Sequence, residues 1–577
     1  MDKAWTIREK PDSEIVRQLM EALKIDETLA ALLVMRNITD FEAAKTFFRP
    51  QLAALHDPFR MTDMEKAVER VHLALENNEK ILVYGDYDVD GTTSVALVYL
   101  FLKHRTANVG YYVPDRFIEG YGISFLGIDY AEKNGYSLII ALDCGIKAID
   151  KVEYARAKNI DFIICDHHTA GDTIPAAVAV LDPKRPDCNY PFKELSGCGV
   201  GFKLLHAYAL KYEPASCSND DFMSDELQDS LDLVCVSIAS DIVPIVGENR
   251  ILAHYGLQHF NSNPRIGLKA IRKVAGIENK EADISDLVFK IGPRINAAGR
   301  IEKGLTAVEV LIAETEEGAF EHSKMIDDFN ILRKNMDSEI TEEACRMIEA
   351  NKEFCEAKST VLFNSQWSKG IIGIVASRLI EHHYYRPTIM LTEADGKASG
   401  SARSVDGFNL YEAIDACSDL LISFGGHRYA AGLTMRLEDV DNFREKFDLI
   451  VSKTIKPEQL IPRIEVDNVI SFIDINRRFF NILRQFAPFG PENMAPVFVT
   501  RRVKDYGGSR PVGIKSEHLK LEMIHDNIII SGIAFNMSDK YSQIKNNYFD
   551  ICYTIEQNEF NGRNSIQLMV RDIKVVV

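Results

Sequence analysis

The sequence lacks a long apolar run, a paired cysteine motif and an excess of positive charge. No stretch reaches the roughly eighteen consecutive apolar residues that a membrane-spanning helix requires, so we expect no membrane segment. The amino terminus carries mixed charge without the apolar centre of a secretory signal. The ten cysteines are scattered with no C-x-x-C pair, which is typical of a reduced, cytoplasmic protein.

Acidic residues outnumber basic ones, with 85 Asp and Glu against 67 Lys and Arg, and the formal net charge is −18. Proteins contact nucleic-acid phosphates mainly through Lys and Arg. This charge balance therefore argues against a general nucleic-acid-binding protein. It is compatible with a metal-dependent DNA enzyme, because clustered carboxylates bind divalent ions and basic residues can be confined to one groove. Composition therefore leaves the substrate open.

What the sequence does contain is an alternation of short apolar runs and amphipathic segments of helical length. This alternation predicts an α/β fold, with a mostly parallel sheet covered by helices on both faces. Such sheets bind ligands at the carboxyl ends of their strands. The runs are 81–84, 109–113, 138–142, 162–165 and 178–181.

Pattern and composition divide the chain into five predicted segments. We expect one or two long helices at 305–352, because this segment lacks Pro and its apolar residues recur near helical spacing. Alternating β-type runs near the carboxyl terminus are typical of a small β-barrel. The segments are a helical preface (1–57), a parallel-sheet domain (58–304), the connecting helix (305–352), a second α/β domain (353–456) and the barrel (457–577).

Three aspartates, Asp86, Asp88 and Asp90, follow the first apolar run at alternate positions. Carboxylates this close repel one another unless a cation neutralises them, and hard oxygen ligands suit Mg²⁺ or Mn²⁺. A solvated acidic turn is the alternative. An EF-hand is excluded, because the twelfth loop position counted from Asp86 is Leu97 rather than Glu.

Three further apolar runs, at 138–142, 162–165 and 233–239, also end on acidic or imidazole groups. We interpret all four run ends as strand ends that meet at one edge of the sheet. A cluster of this kind can hold two metal ions about 4 Å apart, which activate a water and stabilise a leaving phosphoryl oxygen. The groups at the three later ends are Asp143; Asp166, His167 and His168; and Asp241.

These residues resemble the four successive motifs of the DHH phosphoesterase superfamily. The resemblance implies two divalent ions, Mn²⁺ or Mg²⁺, bridged by Asp143. It also implies that His168 contacts the scissile phosphate or its leaving oxygen, that Asp166 orients the histidines, and that Asp86 is an outer residue or a ligand. The implied ligand sets are Asp88 and Asp143 for one ion, and Asp90, Asp143, His167 and Asp241 for the other.

Two positions depart from the superfamily pattern. Tyr84 stands where many members carry a His, four residues before Asp88. The first metal is then bound more weakly, is liganded differently, or is completed by Asp86. Ser368 stands where we expect His, which puts one phosphate or DNA contact in doubt.

Further segments resemble the family of 5′→3′ single-stranded-DNA exonucleases within that superfamily. This resemblance implies a DHH-type parallel-sheet domain, a long connecting helix, a DHH-associated α/β domain and a carboxyl-terminal OB-fold. The segments are 113–122, 291–300, 399–404, 425–432, 488–498 and 518–520. The implied 5′-phosphate and DNA contacts are Arg116, Tyr121 (as a stacking residue), Arg294, Asn296, Ser401, Arg403 and His427.

The resemblance implies metal-dependent, processive hydrolysis of single-stranded DNA to 5′-mononucleotides in DNA repair and recombination. We expect a cytoplasmic monomer that a single-strand-binding protein or a helicase recruits. For Arg116 and Arg294 the alternative is a structural ion pair. Other candidate functions are a DHH phosphodiesterase for short oligonucleotides or cyclic dinucleotides, a class II pyrophosphatase, and a non-catalytic scaffold that binds single strands. The barrel disfavours the first two, and the nearly complete ligand set disfavours the third.

Overall fold

A computed structural model describes residues 3–217, 223–302, 304–560 and 563–576. The chain forms two compact units. The amino-terminal unit comprises Lys10–Asn330 together with Asp474–Pro496. The carboxyl-terminal unit comprises the described residues of Met1–Glu9, Ile331–Ile473 and Val497–Val577.

The helices, numbered in chain order, are α1 Ser13–Leu23, α2 Glu27–Val34, α3 Phe41–Phe48, α4 Met64–Glu76, α5 Val89–Lys103, α6 Phe125–Lys133, α7 Ile149–Ala157, α8 Gly197–Tyr212, α9 Asp225–Asp229, α10 Leu231–Ser240, α11 Gly247–Ser262, α12 Ile266–Val274, α13 Ile284–Asp286, α14 Gly292–Ile301, α15 Leu305–Leu311, α16 Glu316–Glu349, α17 Lys352–Glu356, α18 Ile372–His382, α19 Leu410–Asp415, α20 Val440–Thr454, α21 Arg477–Arg484 and α22 Tyr541–Ile544.

The strands follow the same order. They are β1 Ala4–Ile7, β2 Ile81–Gly85, β3 Val109–Tyr112, β4 Leu138–Leu142, β5 Asp161–Cys165, β6 Ala179–Leu181, β7 Thr360–Phe363, β8 Thr388–Ala394, β9 Lys397–Arg403, β10 Ser423–His427, β11 Ala430–Met435, β12 Arg463–Val466, β13 Asn468–Val469, β14 Phe498–Asp505, β15 Arg510–Val512, β16 His518–His525, β17 Ile528–Ala534, β18 Phe549–Phe560 and β19 Arg563–Val575.

The amino-terminal unit contains a five-stranded, wholly parallel sheet in the order β3-β2-β4-β5-β6. Alternate side chains of its strands enter two different cores: Val83 and Ile140 lie in one, and Leu82 and Ile139 lie in the other. Because both faces are buried, the strands read as continuous apolar runs. The prediction of a parallel α/β sheet from those runs is confirmed.

The interpretation of the run at 233–239 as a strand is wrong. These residues lie in α10, whose residues Leu231–Ala239 are all buried. A helix that is apolar all round shows no amphipathic periodicity, so its run resembles that of a buried strand. Asp241 follows directly as the carboxyl-terminal cap of this helix. The predicted strand is therefore a helix, although the acidic residue does lie at its carboxyl end, as predicted.

The predicted 1–57 preface contributes to both units. Its helices α1, α2 and α3 belong to the amino-terminal unit. Its first strand, β1, belongs to the carboxyl-terminal unit and pairs in parallel with β12. Within that unit, Trp5 Nε1 donates a hydrogen bond of 2.7 Å to Asp572 Oδ2.

Residues 474–496 lie within the predicted barrel segment but belong to the amino-terminal unit. There the buried guanidinium of Arg250 donates to the carbonyl oxygens of Phe486, at 2.9 Å, and Ala487, at 3.0 Å. Arg36 Nε donates to Asn493 Oδ1 at 2.8 Å. The predicted 457–577 segment is therefore divided between the two units.

The carboxyl-terminal unit contains two larger sheets. One has the order β10-β11-β9-β8-β7, in which only β7 and β8 pair in parallel. The other has seven strands, and an additional pairing of β14 with β16 curls it into a barrel. The predicted connecting segment consists of α15 and α16. None of the helices in the described ranges combines the length and apolar composition of a membrane span.

Candidate active site

Successive parallel strands of the amino-terminal unit deliver acidic residues to the carboxyl edge of the sheet. Asp86 follows β2, Asp143 follows β4 and Asp166 follows β5. Asp143 adopts a left-handed backbone conformation with φ of 58°. Non-glycine residues in this region carry local strain, which is common where a side chain must be aimed at a functional site.

Asp90 lies in the first turn of α5 and is held by donors from two other helices. Its Oδ2 accepts a hydrogen bond of 2.7 Å from Gly197 N, at the start of α8. Its Oδ1 accepts 2.8 Å from Cys198 N and 2.7 Å from the Ser237 hydroxyl on α10. Gly197 is required here because a Cβ at this position would lie 2.8 Å from Asp143 Oδ1. This close approach brings α8 against both carboxylates.

The imidazole of His167 lies among three carboxylates. Its Nε2 is 3.2 Å from Asp143 Oδ1, 3.6 Å from Asp241 Oδ2 and 3.7 Å from Asp90 Oδ2. Both ring nitrogens are buried, and neither makes a hydrogen bond to any residue that the structure describes. Burial lowers the pKa of His167, which keeps the ring neutral. A buried, neutral and unbonded imidazole beside carboxylates is the donor set of a divalent metal site.

Three carboxyl groups at this edge of the sheet, those of Asp86, Asp143 and Asp241, hold their protons more tightly than isolated carboxyl groups do. Burial, followed by the charges of Asp90 and Asp88, raises the pKa of Asp143 well above its ordinary value. Burial and the charge of Asp90 raise the pKa of Asp241 to about 8. Burial and Asp88 raise the pKa of Asp86 to about 8. Cations relieve the repulsion between the ionised groups, so the groups present fit a metal centre.

The ligand atoms fall into two groups, each within 4.8 Å. Asp90, His167 and Asp241 form one group, which matches three of the four ligands implied for the second metal. Asp143 and His167 form the other together with His168. Asp88 caps α5 through a 3.0 Å hydrogen bond from Gly91 N to its Oδ1.

Asp166 is buried and orients His168. Its Oδ1 accepts 2.7 Å from His168 Nδ1, and its Oδ2 accepts 2.8 Å from Ile146 N. Burial alone would raise the pKa of Asp166, but the hydrogen bond from His168, the charge of His168 and the backbone donors together outweigh burial and lower the pKa. The ionised carboxylate only accepts, so it fixes a proton on Nδ1 and leaves Nε2 facing the Tyr121 hydroxyl, 3.2 Å away.

Arg116 stacks over Tyr87, with its guanidinium carbon 5.2 Å from the ring centroid. Burial raises the pKa of Tyr87 to about 12, and the charges of Arg116 and Arg300 act in the opposite direction. Arg300 therefore also faces this region, although no pattern within the 291–300 segment singled it out. Gly299 makes this approach possible, since a Cβ there would lie 2.8 Å from Tyr87 O.

Arg294 is engaged inside the amino-terminal unit. Its Nη1 donates 2.7 Å to Lys290 O, and its Nε lies 2.9 Å from Asp327 Oδ1. This is the structural ion pair that the sequence left open as an alternative. Asn296 lies half-buried on the same helix, α14. A phosphate or DNA contact by either residue stays a prediction.

Ser401 and Arg403 lie on β9 of the carboxyl-terminal unit, two residues apart and hence on one face. Arg403 Nη1 donates 3.0 Å to Ser401 Oγ. A Cβ on Gly373, in the first turn of α18, would lie 2.8 Å from Ser401 Oγ and 3.0 Å from Arg403 Nη2. Burial lowers the pKa of Arg403, and no acidic group among the described residues forms an ion pair with it. A guanidinium, a hydroxyl and a helix amino terminus together suit an anion.

His427 ends β10 in the same unit and is exposed. Its Nδ1 accepts 3.3 Å from Tyr429 N. The preceding Gly426 has a φ of 147°. A Cβ there would lie 2.3 Å from Ala430 O, so only glycine permits this turn.

Three known domain families match separate parts of the chain. Residues 80–238 match the DHH family, N-terminal domain, residues 356–453 match the DHHA1 domain, and residues 466–572 match the RecJ OB domain. The single-stranded-DNA-specific exonuclease RecJ of Bacillus subtilis (strain 168) is 37% identical over 575 residues, which cover 99% of this chain and 71% of that protein. The chain belongs to the RecJ family.

A second RecJ, from Escherichia coli (strain K12), is 32% identical over 89% of this chain and 90% of its own length. The crystal structure of RecJ in complex with Mn²⁺ from Thermus thermophilus superposes with a TM-score of 0.82, at 23% identity, over 99% of this chain and 79% of that chain. The predicted RecJ fold, with its DHH, DHHA1 and OB domains, is thereby confirmed. The solved relative carries manganese, and the acidic cluster of this chain is capable of binding such a metal.

Proposed function

We propose that this protein is a two-metal exonuclease that degrades single-stranded DNA from the 5′ end to 5′-mononucleotides. The observation that carries the proposal is the buried cluster around His167, whose ring nitrogens lie unbonded among the carboxylates of Asp90, Asp143 and Asp241. Family membership supports single-stranded DNA as the substrate, since the named relatives are exonucleases specific for it.

Asp90, Asp143, His167 and Asp241 would hold one ion, and Asp88 with Asp143 would hold the other, completed by Asp86. When bound, divalent ions supply an activated water and neutralise the charge that develops on a phosphodiester. The hydrogen bonds to Asp90 keep its oxygens aimed at the cluster before any ion arrives. That preorganisation lowers the cost of bringing like charges together.

His168 would contact the scissile phosphate or its leaving oxygen. Asp166 holds its Nδ1, so Nε2 is the atom that faces substrate. Burial alone would lower the pKa of His168, but the hydrogen bond to Asp166 and the nearby carboxylates outweigh burial and raise it. A raised pKa favours a charged ring beside an anionic phosphate. Arg116, next to Tyr87, would add a second positive group.

The 5′ polarity would come from a site for the terminal phosphate formed by Ser401 and Arg403 at the start of α18. Arg403 is half-buried, and no described acidic group competes with a phosphate for it. A planar guanidinium can bind a terminal phosphate through two parallel hydrogen bonds. His427 would contact a phosphate of the same strand, and the basic residues of the barrel would bind the strand further on.

We infer a monomer that acts in the cytoplasm in DNA repair and recombination. We also infer recruitment by a single-strand-binding protein or a helicase.

Oligonucleotides labelled at either end test the proposed function. With Mn²⁺, a 5′ label should appear in mononucleotides at the earliest times, while a 3′ label stays in long products. His167→Ala should lower the rate by at least about a hundredfold, because a metal ligand is lost. His206→Ala, which removes another buried histidine of the same unit, is the matched control and should keep most activity. Early release of the 3′ label, or full activity of His167→Ala, would refute the proposal.

A further inference from the structure

The loop at 113–124, between β3 and α6, reaches the metal cluster through Tyr121. The Tyr121 hydroxyl donates a hydrogen bond of 3.2 Å to the backbone oxygen of Asp143, and its oxygen lies 3.2 Å from His168 Nε2. The side chain is otherwise 54% exposed. The Tyr121 ring meets the rings of Tyr87 and His168 edge-on, with centroid distances of 6.2 Å and 6.0 Å, and its position also depends on how the loop backbone is held.

Tyr84 holds this backbone from beneath. It is fully buried in β2. Its hydroxyl donates 3.0 Å to Gly122 O and accepts 3.1 Å from Ser124 N. Both bonds meet the loop within three residues of Tyr121. The hydroxyl therefore uses both its donor and its acceptor on the loop backbone rather than on the acidic cluster.

The Tyr84 ring has little freedom to move. It stacks on Tyr112 with a centroid distance of 5.3 Å. On α6, a Cβ at Gly127 would lie 2.5 Å from the Tyr84 ring, so only glycine leaves room for it. Since the ring is fixed by packing, its hydroxyl is presented to the loop at a constant position.

Glu119 secures the same loop from within. Its carboxylate accepts 3.0 Å from the Tyr112 hydroxyl and 2.8 Å from Asp115 N. It also accepts a hydrogen bond from the Ser124 hydroxyl. We call Tyr84, Tyr112, Glu119 and Ser124 the loop clasp. Its members bond to one another or to the loop backbone on either side of Tyr121.

We propose that Tyr84 is a positioning residue: through the loop clasp it holds Tyr121 against His168 and so orients the imidazole that contacts the phosphate. This inference rests on the proposed function and assigns Tyr84 a role other than metal binding. In the absence of substrate, the imidazole is held at both nitrogens, by Asp166 at Nδ1 and by Tyr121 at Nε2, and Nε2 would exchange the Tyr121 hydroxyl for the phosphate when substrate binds. A side chain held at two points loses less freedom when it meets the substrate.

A double-mutant cycle with Mn²⁺ and single-stranded DNA tests the proposal. Tyr84→Phe and Tyr121→Phe should each lower kcat about tenfold, because misplacing a catalytic group by a fraction of an ångström is costly. The double variant should be no slower than the slower single variant, since both changes release the same imidazole. Tyr84→Phe should leave the affinity for Mn²⁺, measured by calorimetric titration, unchanged.

Tyr190→Phe is the matched control, because Tyr190 is also fully buried and donates 2.7 Å to Glu248 Oε2. It should lower the melting temperature as Tyr84→Phe does while keeping kcat. If Tyr84→Phe does not fold, Tyr112→Phe takes its place in the cycle. Three results would overturn the proposal. The first is a double variant whose loss of kcat equals the product of the two single losses. The others are an unchanged kcat in Tyr84→Phe and weaker Mn²⁺ binding by Tyr84→Phe. Failure of the proposed function would instead show as a wild-type protein that does not degrade the strand.

Discussion

At the residue scale, the acidic cluster depends on groups that bind no metal themselves. Ser237 donates to Asp90 Oδ1 at 2.7 Å, and its oxygen lies 2.7 Å from the Ser196 hydroxyl. It is fully buried in the middle of α10. A donor at this position fixes one carboxylate oxygen, so the other stays directed at its partners.

Ser237→Ala should weaken Mn²⁺ binding about tenfold, because partners behind a metal ligand usually contribute that much. Calorimetric titration measures the affinity directly. Ser323→Ala is the control, since Ser323 is equally buried but bonds only to Ala319 O in its own helix. An unchanged affinity in Ser237→Ala would show that Asp90 needs no such support.

The candidate ligands leave a local signal in the sequence, whereas the groups that support them do not. Asp86, Asp143 and His167 each follow an apolar run, which is a local signal. Ser237 lies inside an apolar run and resembles any small core residue. Its partnership with Asp90, 147 positions earlier in the chain, arises only from the packing of α10 against α5.

At the element scale, the start of α18 and strand β9 combine into the proposed anion site of the carboxyl-terminal unit. Neither element indicates such a site by itself. Together they bring Gly373, Ser401 and Arg403 into contact distance. The sequence segment 399–404 indicated two of these three positions by resemblance. The glycine became apparent only from the close approach of the helix to the strand.

Arg403→Lys should reduce the preference for 5′-phosphorylated over 5′-hydroxyl single strands by about tenfold, since a point charge cannot replace a planar fork. The measurement compares kcat/KM for the two substrates. Arg436→Lys in the same unit, where the arginine is exposed and paired with Asp439, should leave the ratio unchanged. An undiminished preference for the 5′-phosphate in Arg403→Lys would show that Arg403 does not bind the terminal phosphate.

Strands and helices could be predicted best where a buried segment is flanked by exposed, polar segments. The five apolar runs 81–84, 109–113, 138–142, 162–165 and 178–181 match parallel strands almost to the residue. The run at 233–239 failed as a strand since α10 is buried on every side. The apolar run at 233–239 has the length of a strand, whereas the helix that contains it has ten residues.

At the scale of the whole molecule, chain order and compact units do not coincide. Residues 474–496 come after the DHHA1 segment but join the amino-terminal unit through Arg250 and Arg36. Likewise β1 pairs with β12 across more than four hundred residues of sequence. Local patterns cannot reveal such long-range pairings, so the predicted bounds 1–57 and 457–577 cut across both units.

The acidic cluster also links metal binding to the stability of the whole protein. In the absence of metal, the raised pKa values of Asp143, Asp241 and Asp86 mean that the folded chain binds more protons than the unfolded chain between about pH 4 and pH 8. Their contribution is favourable at the acidic end of this window and is lost as the pH rises through the folded pKa. Bound divalent ions replace those protons, so their stabilising effect should grow with pH.

Thermal unfolding with and without Mn²⁺, at about pH 5.5 and about pH 8, tests the central claim most directly. A Mn²⁺ concentration of about a hundred times the dissociation constant at about pH 8 should stabilise the protein there by about 3 kcal/mol, and the same concentration should stabilise it less at about pH 5.5. His167→Ala should lose most of this gain, whereas His206→Ala should keep it. If Mn²⁺ leaves the melting temperature of the wild-type protein unchanged at the higher pH, or stabilises His167→Ala equally, the cluster around His167 is not the metal centre.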